Sequence, residues 1–198
     1  MGALKVINLF AGPGAGKSTT AAGVFSLLKM HNINAELLTE FAKDLTWEKR
    51  DTALNNQYYI WAKQHHKLFR LQDQVDIVVT DSPLLLSILY GNGNTSSHFY
   101  TLVDVVFKQF DNMNFFVNRV KPYNPKGRNQ TEDEAKVVDR NTKRLLQSMG
   151  LDFEEIPGNF DGINHITDRI LKKHFGLPGL SVYLNKKPES GELYDEHI

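Results

Sequence analysis

The chain has 198 residues, 41% of them hydrophobic, with 23 Lys+Arg against 23 Asp+Glu and a formal net charge of +0 at pH 7. That is enough for one α/β domain with a substantial core, and the charge balance argues against indiscriminate nucleic-acid binding while leaving room for a local basic groove. The absence of Cys excludes disulfides, thiolate metal sites and a Cys nucleophile, and no apolar run is long enough to span a bilayer.

The first element is the most informative. Residues 4–20 read Leu-Lys-Val-Ile-Asn-Leu-Phe-Ala-Gly-Pro-Gly-Ala-Gly-Lys-Ser-Thr-Thr, a strand interrupted only by Lys5 and Asn8 that runs into a glycine-rich loop. The loop follows the phosphate-binding pattern G-x-x-x-x-G-K-[ST], with Ala11 in place of the first Gly. Gly12, Gly14 and Gly16 let the backbone curl so that its N–H groups meet phosphate oxygens. Lys17 supplies a cation for the β- and γ-phosphates, Ser18 offers a hydroxyl to Mg²⁺, and the helix that follows points its positive end at the anion. The expected ligand is Mg·ATP, held by Gly12, Pro13, Gly14, Ala15, Gly16, Lys17, Ser18 and Thr19.

Thr19 to Lys29 then reads as a helix, and Asn34–Thr39 as a short strand ending at Glu40. A second helical stretch begins at Thr46–Arg50, and Asn55 to Gln72 carries a broad apolar stripe at helical spacing. Val75 to Thr80 is a nearly continuous β-branched run, as in a strand buried on both faces, stopped by Asp81-Ser82-Pro83. His98–Phe110 is helical, Asn114–Asn118 a strand, and Lys121 to Asn129 polar and rich in Pro and Gly. A charged helix over Thr131–Met149, a strand at Phe153–Ile156 and a helix over Ile163–Phe175 complete the chain. Alternating strands and helices predict a three-layer α/β fold with a mostly parallel sheet of about five strands and helices on both faces. The domain is expected over residues 1–175, with a lid segment at about 120–145 and a C-terminal tail over 176–198. The chain enters its first strand too early to leave room for a signal peptide, so a soluble, cytoplasmic protein without membrane partners is expected. The oligomeric state is open, a homodimer being one option.

In such folds the functional polar groups follow the strands. Asp81 ends the most hydrophobic strand, where a carboxylate can hold Mg²⁺; a helix N-cap is the alternative, and contact with the phosphate acceptor another. Glu40 could take the proton of an attacking hydroxyl and Lys43 could bind an acceptor phosphate, against the plainer reading of a solvated loop. The Pro-rich stretch brings Lys121, Lys126 and Arg128, and the next helix Arg140 and Arg144, four residues apart on one face. A lid arginine could neutralise charge in phosphoryl transfer, while Thr131-Glu132-Asp133-Glu134 reads as a capping box. The candidate catalytic set is Lys17, Glu40, Asp81, Arg128 and Arg140, and the candidate metal ligands are Ser18 and Asp81. His65 and His66 point to different sides of a helix and make a poor metal pair. Tyr58, Tyr59 and Trp61 read as core, with stacking on a base as the alternative.

Taken together, the sequence resembles the small P-loop kinases of the thymidylate-kinase and nucleoside-kinase group over roughly residues 4–175. Residues 7–19, Thr39-Glu-Phe-Ala-Lys-Asp-Leu-Thr-Trp and Val78-Val-Thr-Asp-Ser-Pro-Leu-Leu look like a phage-encoded type. That type includes enzymes that phosphorylate 5-hydroxymethyluracil in DNA during thymidine hypermodification. The resemblance implies ATP and Mg²⁺ as cofactors and a nucleotide-type or DNA acceptor, in the host cytoplasm if the chain is phage-encoded. A second likeness, to nicotinamide-riboside-type kinases, rests on the carboxylate after the second strand and the basic segment Pro122 to Arg128. Asp81 is followed by Ser-Pro where thymidylate kinases have an Arg and an aromatic, and Thr39-Glu40 lacks their Arg-Glu-Pro run. A reading from another class is a switch that hydrolyses ATP slowly and transfers nothing.

Overall fold

A computed structural model describes residues 2–91, 95–125 and 130–180. The strands are β1 (Lys5–Phe10), β2 (Ala35–Leu38), β3 (Ile77–Thr80), β4 (Asp111–Asn118) and β5 (Glu154–Pro157). They form one five-stranded sheet in the order β2-β3-β1-β4-β5, with every neighbouring pair parallel. β1 and β3 lie inside because they are apolar on both faces: Val6, Ile7, Leu9 and Phe10 are buried, as are Ile77, Val78 and Val79.

The helices are α1 (Lys17–Met30), α2 (Phe41–Trp47), α3 (Asp51–Leu54), α4 (Gln57–Phe69), α5 (Leu86–Leu89), α6 (Ser97–Phe107), α7 (Glu132–Ser148) and α8 (Phe160–Phe175). α1 packs against the sheet and against α8. With the strand order β2-β3-β1-β4-β5, the right-handed rule for parallel crossovers assigns the helices between β2 and β5 to the opposite face. The three-layer α/β expectation therefore holds. Among the described residues no helix is long and apolar enough to cross a membrane.

Three local expectations need correction. The second helix starts at Phe41, not Thr46, because Glu40 is extended (φ −62°, ψ 119°) and turns the chain into α2 directly from β2. That helix ends before Lys49, which is left-handed at φ 55° and separates it from α3. The short α5 was not anticipated, since Pro83 to Leu89 is nearly all apolar and shows no period. β4 starts at Asp111, three residues before the expected Asn114, although its first residues are polar. Their side chains are satisfied inside the sheet: Asn8 Nδ2 donates to Asn112 Oδ1 at 2.8 Å and Asn114 Oδ1 at 3.1 Å. Asn112 and Asn114 in turn donate to the carbonyls of Phe107 (2.6 Å) and Asp152 (3.1 Å). Gly176, at φ 61°, closes α8, and Leu180 N–H returns to Asp168 Oδ1 at 2.6 Å; the rest of the tail lies outside the described residues.

Candidate active site

The phosphate loop is built where β1 becomes α1. Gly14 and Gly16 have φ of 79° and 107°, which side-chain-bearing residues rarely adopt. Gly16 is the N-cap of α1, no side chain caps that end and no acidic residue lies in its first turn. The first N–H groups of α1 and its positive dipole end are thus presented to an anion. Ala11 is fully buried, so its methyl belongs to the core and leaves the loop mouth clear. Gly158, in the turn after β5, lies under the loop, where a Cβ would stand 2.6 Å from Ala15 O. Ser18 and Thr19 are exposed at the mouth. Lys17 Nζ folds back onto the loop, donating to Ala11 O at 2.8 Å and Gly12 O at 3.2 Å.

Three carboxylates share the field of Lys17. Burial pushes the lysine pKa down, and Glu40, Asp81 and Asp139 oppose that shift. Asp81, 3% exposed, stands just beyond β3 with Oδ1 making no hydrogen bond. It is not a helix cap: Leu85 holds the N-cap position of α5, and Ser82 N–H goes to Thr80 Oγ1 at 3.1 Å. The Thr80 hydroxyl in turn donates to Leu38 O at 3.0 Å, locking the ends of β3 and β2 side by side. Glu40 lies half-buried at the start of α2 without a capping bond. Burial raises its pKa above the usual carboxylate range, Lys17 pulls it back and Asp81 pushes it further up. Gln64 and Lys67 of α4 hold this corner: Gln64 Oε1 accepts from Phe41 N–H at 3.3 Å and Lys67 Nζ donates to Thr39 O at 2.9 Å.

The described residues contain no cluster of three or more His, Asp or Glu able to hold a metal alone. The donor set still fits Mg²⁺, which takes one or two protein oxygens and completes its octahedron with phosphate and water. The unbonded Asp81 Oδ1 and the Ser18 hydroxyl would be those oxygens.

Several residues around the loop were not singled out from the sequence. Arg119 immediately follows β4; its Nε donates to Asp139 Oδ2 at 2.5 Å and Nη2 to Ala135 O at 3.4 Å. Asp139 Oδ1 accepts the Gly12 N–H at 2.5 Å. α7 therefore turns Ala135 and Asp139, four apart, toward the loop, so closely that a Cβ on Gly12 would meet Ala135 O at 2.4 Å. Tyr123 covers Gly14, its ring 2.8 Å from where a Cβ would be, and its hydroxyl donates to Gln130 O at 2.5 Å. Tyr90 belongs to the same cluster: burial, Glu40 and Asp139 raise its pKa, and Arg119 lowers it. Arg140 and Arg144 are exposed on α7, and it is Asp139 that this helix turns toward the loop. Arg128 lies outside the described residues. Arg119 could have been found, because it obeys the rule that functional groups follow strands. Nothing local marks Asp139.

On α4, Trp61 is buried and Tyr58 is 43% exposed. His65 stacks on Trp61 at 5.2 Å, and burial followed by the charge of His66 lowers its pKa. Lys63 and Lys67 lie over Tyr59 and Phe41 at 5.6 Å and 5.8 Å. An open cleft of about 690 Å³ beside them is lined by Lys49, Arg50, Thr52, Asn56 and Tyr59, among others.

Among solved structures, the chain is similar to the deoxyadenosine kinase from M. mycoides with bound dATP. The identity is 16% and the TM-score 0.49, over 85% of this chain and 98% of that one. It is also similar to the M. tuberculosis APS kinase CysC in complex with AMPPNP and APS. There the identity is 12% and the TM-score 0.47, over 87% of this chain and 98% of that one. No curated protein sequence matches the chain. Residues 6–161 match the family model described as AAA domain, and the chain belongs to that family of P-loop domains.

Proposed function

We propose that the chain is a Mg·ATP-dependent kinase that moves the γ-phosphate to a hydroxyl of a nucleotide-type acceptor. The observation that carries this reading is the convergence of Lys17, Glu40 and Asp81 in one electrostatic cluster at the ends of β1, β2 and β3. The half-buried Glu40 carboxylate, its pKa raised, lies in the field of the loop lysine and suits a base for an alcohol. The acceptor oxygen bonds to Pγ, the bond from Pγ to the bridging oxygen breaks, ADP leaves with that electron pair, and the alcohol proton passes to Glu40. Lys17 and the loop N–H groups bind and orient the phosphates. Mg²⁺, held at Asp81 and Ser18, would neutralise charge on the phosphate oxygens.

The acceptor we favour is the hydroxymethyl group of 5-hydroxymethyl-deoxyuridine in DNA, which would place the protein in thymidine hypermodification of phage DNA. Its support is the sequence resemblance together with the face that adjoins Glu40. Lys43 and Trp47 of α2 are exposed, and the cleft lined by Lys49, Arg50, Asp51 and Tyr59 is formed by the chain that follows. Cations interleaved with aromatics suit a strand whose base is flipped from the stack. The formal net charge of +0 favours the second reading, a kinase for a free nucleoside or nucleoside monophosphate, nicotinamide-riboside-type substrates included. The test offers ATP with hydroxymethyluracil-containing DNA, the free monophosphate and free nucleosides, then identifies phosphorylated products by mass. Phosphomethyl-deoxyuridine in digested DNA is the expected product. Phosphorylated monomers with untouched DNA would establish the second reading.

A further inference from the structure

Arg119 is a half-buried guanidinium over the Tyr123 ring at 6.0 Å, with one edge fully hydrogen-bonded and the other bare. Nε is paired with Asp139 Oδ2 and Nη2 reaches Ala135 O, whereas Nη1 is buried without a hydrogen-bond partner. The bare edge faces the phosphate loop: Nη1 stands 3.4 Å from where a Cβ on Gly14 would be. A buried donor on a permanent cation is not left bare without reason, and above an anion-binding loop the group it suits is a phosphate oxygen. Asp139 sets this aim. One of its oxygens holds Arg119 and the other accepts the Gly12 N–H, so a single carboxylate fixes the arginine relative to the loop. Arg119 stands at Gly14, on the part of the loop before the Gly16 N-cap of α1, and the helix end takes the inner phosphates, so the phosphate within reach of Arg119 is the outermost one.

We infer that Asp139 is a positioning residue that aims Arg119 at the third phosphate, and that the pair makes the site distinguish ATP from ADP. This rests on the kinase reading of the same site. Neither member of the pair is among Arg128, Arg140 and Arg144, the arginines that the sequence nominates for the lid.

The experiment is calorimetric titration of the full chain with Mg·ATP and with Mg·ADP, which requires no acceptor. Wild type should bind ATP more tightly than ADP. Arg119→Ala should reduce that preference by about tenfold, the effect of losing one charge-assisted bond to phosphate. Asp139→Asn should reduce it comparably, because the amide can still accept from Gly12 but cannot hold the guanidinium. In the Arg119→Ala background Asp139→Asn should change the preference no further. Asp139→Glu, which keeps the charge, should lose less than Asp139→Asn and serves if the latter does not fold. The inference is overturned if Asp139→Asn leaves the ATP-to-ADP preference intact. Equal weakening of both nucleotides, or a full effect persisting in the Arg119→Ala background, would overturn it too, because the carboxylate would then act through the loop alone. If wild type binds neither nucleotide, the kinase reading falls as well.

Discussion

Glu40 gives the site a measurable pH signature. Its carboxyl is neutral to a higher pH than the ordinary value of 4.5, because burial and Asp81 outweigh the attraction of Lys17. In its proposed role as base it works only when ionised. The acidic limb of kcat/KM should therefore rise at a pH above the ordinary carboxylate range, and Glu40→Gln should lower kcat by about 10²- to 10⁴-fold and remove that limb. Stability carries the opposite sign. The folded chain binds this proton more tightly than the unfolded chain, so the stabilisation is complete below 4.5 and is lost as pH rises through the raised value. Glu40→Gln should therefore have a higher Tm than wild type at pH 7, and the two should converge in acid. A thermal melt series across pH checks this; a lower Tm for the variant at pH 7 would contradict the raised pKa.

Among the elements, β1 and β4 depend on a contact that their patterns conceal. Asn8 is 2% exposed in the strand that carries the loop, and its amide joins the side chains of Asn112 and Asn114. Asn8→Ala would leave these groups unsatisfied in the sheet and should cost about 1–3 kcal/mol. Urea unfolding should show a lower midpoint at an unchanged slope. The same ladder explains why the start of β4 was hard to read: Asp111 and Asn112 look like a loop until a partner strand is known. β3 and the phosphate loop were legible because their signals are local, an unbroken β-branched run and glycines at fixed offsets. The capping box at Thr131 was local too, and Thr131 N–H does meet Glu134 Oε2 at 2.7 Å. α2 was misread because its boundary is set by the backbone of Glu40 and by bonds from α4, 23 residues or more away in sequence. The Asp139 bond to Gly12 spans 127 residues and no spacing rule reaches it.

At the scale of the molecule, the sheet order brings the ends of β2, β3 and β1 together, and α7 closes the loop from the β4 side. Fold class was readable from the alternation of elements alone. The acceptor was not, because a free nucleotide and a base in DNA offer the same hydroxyl to the same phosphate machinery. On the proposed reading the site transfers a phosphoryl group, with Lys17, Glu40 and Asp81 around it. The direct measurement is the fate of the γ-phosphate: ATP labelled at that position is incubated with the protein, Mg²⁺ and the acceptor panel, and label is counted in acceptor and in free phosphate. The account predicts label on an acceptor hydroxyl, lost in Lys17→Ala and strongly reduced in Glu40→Gln. Label appearing only as free phosphate across the panel, or undiminished transfer by Lys17→Ala, would contradict it.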